Sequence, residues 1–352
     1  LALLSKKNTP LVGVDISSSA VKLLQLSRSG DRYRVEYYGV EPLPANAVKQ
    51  RVIKEVDRVS SSIAKAAKRS GVKTRNAATA VSGSAVITKI INMPADLSED
   101  ELEQQLSMDA NQYIPFPIEE VNLDFSVLGP ADQPEMVNVL LACSRSTNVD
   151  LCVEALEGAG LTPRIVDIEA FAVENAFNTF VKDALNIDAN EVVALFDIGA
   201  STTTLHALHQ GRSVYTREQD FGGKELTEEI MHRYGLSYDE AGLAKRQGGL
   251  PESYETEVLQ SFKNALIRQI SRSLQFLFSS TEFSNVDRIL LAGGCASIPG
   301  VESLVEEQIG VPVQVLDPLV NIGLAPRINK ETIKADSPAL MTALGLALRS
   351  FD

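Results

Sequence analysis

Two aspartates far apart in the chain, Asp15 and Asp197, each end an apolar run and each open a turn of small, hydroxyl-bearing residues. The first turn reads Asp15-Ile16-Ser17-Ser18-Ser19 and the second Asp197-Ile198-Gly199-Ala200-Ser201-Thr202. Leu11, Val12 and Val14 precede the first, and Val192, Val193, Ala194, Leu195 and Phe196 the second, so each carboxylate is expected at the tip of a buried strand. Small residues let backbone N–H groups curl around phosphate oxygens, and the hydroxyls of Ser17, Ser18, Ser19, Ser201 and Thr202 add donors. A carboxylate repels bare phosphate, so the pair makes chemical sense with Mg²⁺ between it and a bound triphosphate, held through water. Either turn alone reads as an ordinary hairpin in which Asp and Ser serve turn chemistry.

A third element joins them. Residues 287–300 read as a short strand, a glycine turn at Gly293 and Gly294, and a helix start beyond Ser297. With the apolar segment 339–348, this order resembles the actin-like ATPase superfamily across essentially the whole chain. The resemblance implies an α/β fold of two ribonuclease-H-like domains with ATP or ADP between them. It further implies nucleotide contacts from Lys22, just beyond the first turn, and from Gly222, Gly223, Lys224 and Glu225, where similar segments face the nucleoside. Glu169, at the start of a connecting helix, matches the position that orients the attacking water. For Glu169 a helix N-terminus favours the residue for dipole reasons alone, and Lys224 with Glu225 reads equally as a solvated first turn.

The elements that must position these groups are partly legible. Residues 51–69 carry Val52, Val56, Val59 and Ile63 at helical spacing and stop at Gly71, a structural helix expected on the first sheet. Residues 76–93 read as two strands, and Ser98 with Glu101 forms a capping box opening a helix that runs through Tyr113 to Pro115. Alternation over 121–127 and an apolar run over 137–143 give a hairpin. A helix over 147–158 and a strand over 164–168 complete a small inserted α/β unit. From residue 255 to 283, Leu259, Phe262, Leu266, Ile270, Leu274 and Leu277 form one core stripe.

Within the superfamily the details resemble the PilM family of type IV pilus assembly, with FtsA as a near relative. The likeness rests on residues 12–24, on Asp197-Ile198-Gly199-Ala200-Ser201, and most specifically on Tyr113-Ile114-Pro115-Phe116-Pro117-Ile118-Glu119-Glu120 and the strand after it. It implies a first domain of residues 1–84, 163–190 and 338–352, and an FtsA-type inserted subdomain at 85–162. The second domain is then 191–220 with 286–337, and its own subdomain 221–285. It also implies a partner, the cytoplasmic N-terminal peptide of PilN, held in a groove walled by residues 87–127, with Ile87, Tyr113, Ile114, Phe116 and Phe125 as anchors. The other reading of that apolar helix end is packing on its own core. Other pilus components are further possible partners.

Composition narrows the setting. With 33 basic and 46 acidic residues the formal charge is −13, which repels nucleic acid and anionic membrane surfaces. Cys143, Cys152 and Cys295 show neither paired nor metal-ligand spacing, and His206, His209 and His232 lack metal partners. No run approaches the ~18 to 20 apolar residues of a spanning helix, and Leu1 to Lys7 is wrongly arranged for a secretory signal. FtsA-type chains add an amphipathic helix after the last core helix, whereas this sequence stops at Asp352, so the expectation is a cytoplasmic protein reaching the inner membrane through a partner. The leading function is a nucleotide-binding scaffold with at most slow hydrolysis. The alternative is an actin-superfamily small-molecule kinase, which requires a second-substrate cleft and an added general base not identifiable in the sequence.

Overall fold

The computed structural model describes residues 10–352, so the expectation about Leu1 to Lys7 falls outside the described residues. Two mixed sheets form the frame. The first runs Thr162–Ile168, Asn76–Val81, Val12–Ile16, Ala20–Ser29, Arg32–Pro42 and Gly323–Leu324; the second runs Arg212–Gln219, Thr203–His209, Val192–Ile198, Arg288–Ala292 and Val313–Val315. In each, the strand ending in the aspartate turn has its antiparallel hairpin partner on one side and a parallel strand on the other. That central position is why both strands read as continuous apolar runs.

Between the sheets cross two helices, Glu169–Ala176 and Met341–Leu348. Every residue of the second is buried, so it is apolar all round rather than striped. They approach so closely that a Cβ on Gly345 would lie 1.8 Å from the Ala172 carbonyl oxygen. One hydrophobic cluster runs from Leu24 and Val35 of the first sheet through Val173, Phe177 and Leu344 to Leu195 and Leu290 of the second. The helix pair is therefore the packed joint between the two halves.

The outer face of the first sheet is covered by Val56–Ser70 and Ser146–Gly158, and that of the second largely by Gln260–Ser280. Beside the first sheet stands a separate three-stranded sheet in the order Val86–Pro94, Met136–Arg145, Val121–Pro130. Helix Glu99–Tyr113 packs Leu102 and Leu106 on it, opened by the expected Ser98 and Glu101 capping box.

Three expectations shift. The helix expected from residue 51 starts at Val56, because Val48–Lys49 and Val52–Ile53 pair as a tiny hairpin around Gln50 and Arg51. Helix Ser146–Gly158, assigned to the inserted unit, places Cys152 and Leu156 in the core with Val59 and Ile63. Gly323–Leu324, assigned to the second domain, pairs with Arg34 and Val35 on the edge of the first sheet.

Candidate functional site

The first turn is organised by a cross-strand pair. Asp15 and Lys22 stand opposite in the hairpin register, so both side chains leave the same face. Lys22 Nζ donates to Asp15 Oδ2 at 2.7 Å and to Ser17 Oγ at 3.1 Å. Ser17 and Ser18 are half-buried beside it, while Ser19 is exposed.

The second turn is held from three sides. Gly199 N–H donates to the Thr202 carbonyl at 2.9 Å, and Cys295 N–H to the Ile198 carbonyl at 3.0 Å. The amides of Gly223 and Lys224 donate to the carbonyls of Gly199 and Ala200 at 3.0 and 2.7 Å. Glycine is required here: a Cβ on Gly222 would fall 2.5 Å from the Gly199 oxygen. Thus Gly199, Ala200, Gly222, Gly223 and Gly293 form one backbone cradle around Asp197. Burial pushes the Asp197 carboxyl above the usual carboxylate range, with Lys22 and Arg51 drawing it down and Asp15 adding to the rise.

The helical spacing over 51–69 does not reveal Arg51, whose side chain bridges the two halves. Its guanidinium is hydrogen-bonded to the Glu169 carboxylate, donates to Thr202 Oγ1 at 3.0 Å, and approaches Glu218 Oε1 at 3.6 Å. It therefore joins the connecting helix of the first half to the second aspartate turn and to strand Arg212–Gln219 of the second. A cavity of about 40 Å³ lies on the first-domain side of it, lined in part by Asp15, Ser17, Ser18, Arg51, Glu169 and Asn148. Around Arg51 and Lys22 gather four carboxylates, Asp15, Asp197, Glu169 and Glu218. Four carboxylates thus share two cations around this point.

Lys245 is the second residue that the sequence did not reveal. Its ammonium is half-buried beneath the glycine pair, donating to the Gly223 carbonyl at 2.8 Å and to Thr227 Oγ1 at 2.7 Å. Burial lowers its pKa, with the Arg246 cation adding to the fall and Glu225 opposing it. Cys295 is buried against Gly199, and burial raises its thiol to about 11, leaving it protonated. Glu225 caps the Gly222 N–H at 2.8 Å, and Lys224 pairs at 3.5 Å with Glu228 in a half-exposed helical pair. Gly294 and Ser297 are exposed at the lip of the third turn.

The expected partner anchors lie together at one end of the inserted sheet. Ile87, Tyr113 and Phe116 pack around a small core of Ala110, Ile114, Val121 and Cys143, and Phe125 packs on the neighbouring cluster of Leu106 and Leu141. Ile114 is 4% exposed and belongs to that core, so its side chain does not face out. The Arg145 guanidinium covers the Phe116 ring, 4.3 Å from its centroid. Residues 114–119 line a shallow open concavity. Among the described residues no helix is long and apolar enough to cross a membrane, and no group of His, Cys, Asp and Glu forms a self-contained metal cluster.

The family description "Type IV pilus assembly protein PilM" matches residues 13–351. The chain belongs to the PilM family. A solved PilM-PilN type IV pilus biogenesis complex is similar at a TM-score of 0.80 and 29% identity, covering 97% of this chain and 98% of that one. The cell division protein FtsA of Bacillus subtilis is 24% identical, with 96% of this chain and 83% of FtsA covered. The ethanolamine utilization protein EutJ from Carboxydothermus hydrogenoformans shares the fold, at a TM-score of 0.56 and 16% identity over 96% of this chain and 89% of that one. For this PilM-family chain the two-sheet frame with its crossed helices is the actin-like ATPase fold.

Proposed function

We propose that this chain is a nucleotide-binding scaffold of the type IV pilus assembly machinery. The observation that carries the reading is the backbone cradle of Gly199, Gly222 and Gly293 closed around Asp197, with Asp15 and Lys22 facing it from the first turn. Asp15 and Asp197 would hold Mg²⁺ through water, and the turn amides, the hydroxyls of Ser17, Ser18 and Thr202, and Lys22 would hold the phosphates of ATP or ADP. Bound there, the cation supplies the charge that lets carboxylates and phosphates share one cleft. Glu169, whose carboxylate Arg51 positions, would align water against the terminal phosphate.

The similar solved structure pairs a PilM protein with PilN. By that similarity this chain captures the cytoplasmic N-terminal segment of a PilN-type protein on its inserted subdomain, and so sits at the inner membrane through that partner.

The test is calorimetry of Mg-ATP binding. Asp197→Ala should weaken binding at least about tenfold while leaving the nucleotide-free protein folded, consistent with loss of a charged ligand worth roughly 1.5 to 3 kcal/mol. Unaltered affinity removes Asp197 from the site, and turnover of a sugar or acyl substrate by the chain would put a kinase in place of a scaffold.

A further inference from the structure

Gln50 and Arg51 are the two loop residues of the hairpin formed by Val48–Lys49 and Val52–Ile53, and both have positive φ, 49° and 58°. A two-residue turn of this kind favours Asn-Gly or Asp-Gly, and neither residue here suits the left-handed region. A local rule broken inside a cleft points to a side chain whose position matters more than the turn. The side chain in question spans the cleft from Glu169 to Thr202 and Glu218, and its Nε is buried without a hydrogen-bond partner.

The far end of this contact reaches the inserted subdomain. Glu218 Oε1, the atom nearest Arg51 Nε, would lie 3.8 Å from a Cβ on Gly83, and Thr216 of the same strand 3.7 Å from it. Gly83–Ala85 is the single turn through which strand Asn76–Val81 of the first sheet passes directly into Val86–Pro94 of the inserted sheet. Ser144 Oγ, on the central inserted strand, donates to the Ala85 carbonyl at 3.0 Å.

We propose that Arg51 is a ligand for the terminal phosphate of the nucleotide and that its exchange between Glu218 and phosphate reports nucleotide state to the root of the inserted subdomain. The proposal rests on the nucleotide-site reading above. Arg51 supplies forked, permanently charged donors matched to a phosphate's equatorial oxygens. In the structure these donors are engaged by Glu169, Thr202 and Glu218. A terminal phosphate between the two turns competes for them, and ADP, lacking that group, does not. Movement of Arg51 then alters the contact of Glu218 with the turn at Gly83 and the angle at which residue 86 onward enters the partner-binding sheet.

The experiment combines calorimetry with amide hydrogen exchange on the full chain, using Mg-ATP and Mg-ADP. Wild type should show exchange changes across residues 82–94 with Mg-ATP and not with Mg-ADP. Arg51→Ala should lose on the order of tenfold or more in Mg-ATP affinity, the worth of a charged hydrogen bond, keep its Mg-ADP affinity, and lose the exchange response. Arg51→Lys, which keeps charge without the fork, should fall between the two. Glu218→Gln, which removes a carboxylate competing with phosphate for Arg51, should bind Mg-ATP more tightly than wild type and lose the response at 82–94. An Arg51→Ala protein that keeps both its preference for ATP and its exchange response overturns the proposal. Should Arg51→Ala melt before it can be assayed, an Arg51→Lys protein indistinguishable from wild type overturns it equally. Wild type that binds neither nucleotide refutes the nucleotide site itself, and that outcome is distinct from binding without an Arg51 effect.

Discussion

Gly293 lies so close to Asp197 that a Cβ at position 293 would sit 2.4 Å from the carboxylate Oδ1 and 2.4 Å from the Ile198 carbonyl oxygen. Its φ of 87° is also in the left-handed region. The third turn thus serves as the wall that fixes the Asp197 side chain. Gly293→Ala adds a clash and a strained backbone together, at a combined cost of about 2 to 4 kcal/mol. The expected result is a folded but less stable protein whose Mg-ATP affinity falls in parallel with that of Asp197→Ala. Thermal melting and calorimetry on the same preparation check it, and an alanine variant with native affinity would detach the third turn from the site.

His206 leads to a prediction about pH. It is buried on Thr203–His209 with both ring nitrogens unpartnered, and burial, reinforced by the nearby Arg51 cation, pushes its pKa down to about 3 from 6.5. The unfolded chain takes up a proton below pH 6.5 that the folded chain refuses until about pH 3. Stability attributable to this group is therefore complete above that window and falls as pH falls through it, by roughly 1.4 kcal/mol per pH unit. His206→Leu removes the penalty and the two orphaned nitrogens. Denaturant midpoints should show the variant gaining on wild type by about 2 kcal/mol between pH 7 and pH 5; a constant difference across that range would mean that His206 is solvated or paired.

The two aspartate turns could be read because a strand tip, a carboxylate and small hydroxyl residues are all local features. Helix Glu99–Tyr113 was legible for the same reason, since Ser98 and Glu101 cap each other within one turn. Arg51 was hidden by two coincidences. Val52, Val56, Val59 and Ile63 keep helical spacing straight through the hairpin, and the turn lacks the Gly or Asn that would announce it. Lys245 was hidden because its amphipathic helix Tyr238–Gln247 presents the usual charged face, and only tertiary packing turns its lysine under Gly223. Likewise nothing local marks Ser146–Gly158 as a cover for the first sheet: Cys152, Ala155 and Leu156 suit any apolar face, and the choice is made by Val59 and Ile63 more than eighty residues earlier.

The inserted sheet offers a test that separates an anchor from a core residue. Ile114 and Phe116 are neighbours in sequence but not in role: Ile114 is enclosed with Ala110, Val121 and Cys143, while Phe116 is half-buried, its ring covered by Arg145 at the concavity formed by residues 114–119. An extended apolar peptide could displace the Arg145 guanidinium and take its place against the ring, together with Ile87 and Tyr113. Ile114→Ala should therefore lower stability by about 2 to 5 kcal/mol through the cavity it leaves. Once that loss is discounted at a temperature where the variant is folded, peptide affinity should be close to native. Phe116→Asp should leave the melting temperature nearly unchanged, weaken a PilN-type N-terminal peptide by on the order of tenfold or more, and spare Mg-ATP binding. Titration of the full chain with that peptide, monitored by calorimetry, decides between them. If both substitutions reduce stability and neither changes peptide affinity, the apolar end of helix Glu99–Tyr113 is core throughout, and the partner must be held elsewhere on the inserted sheet.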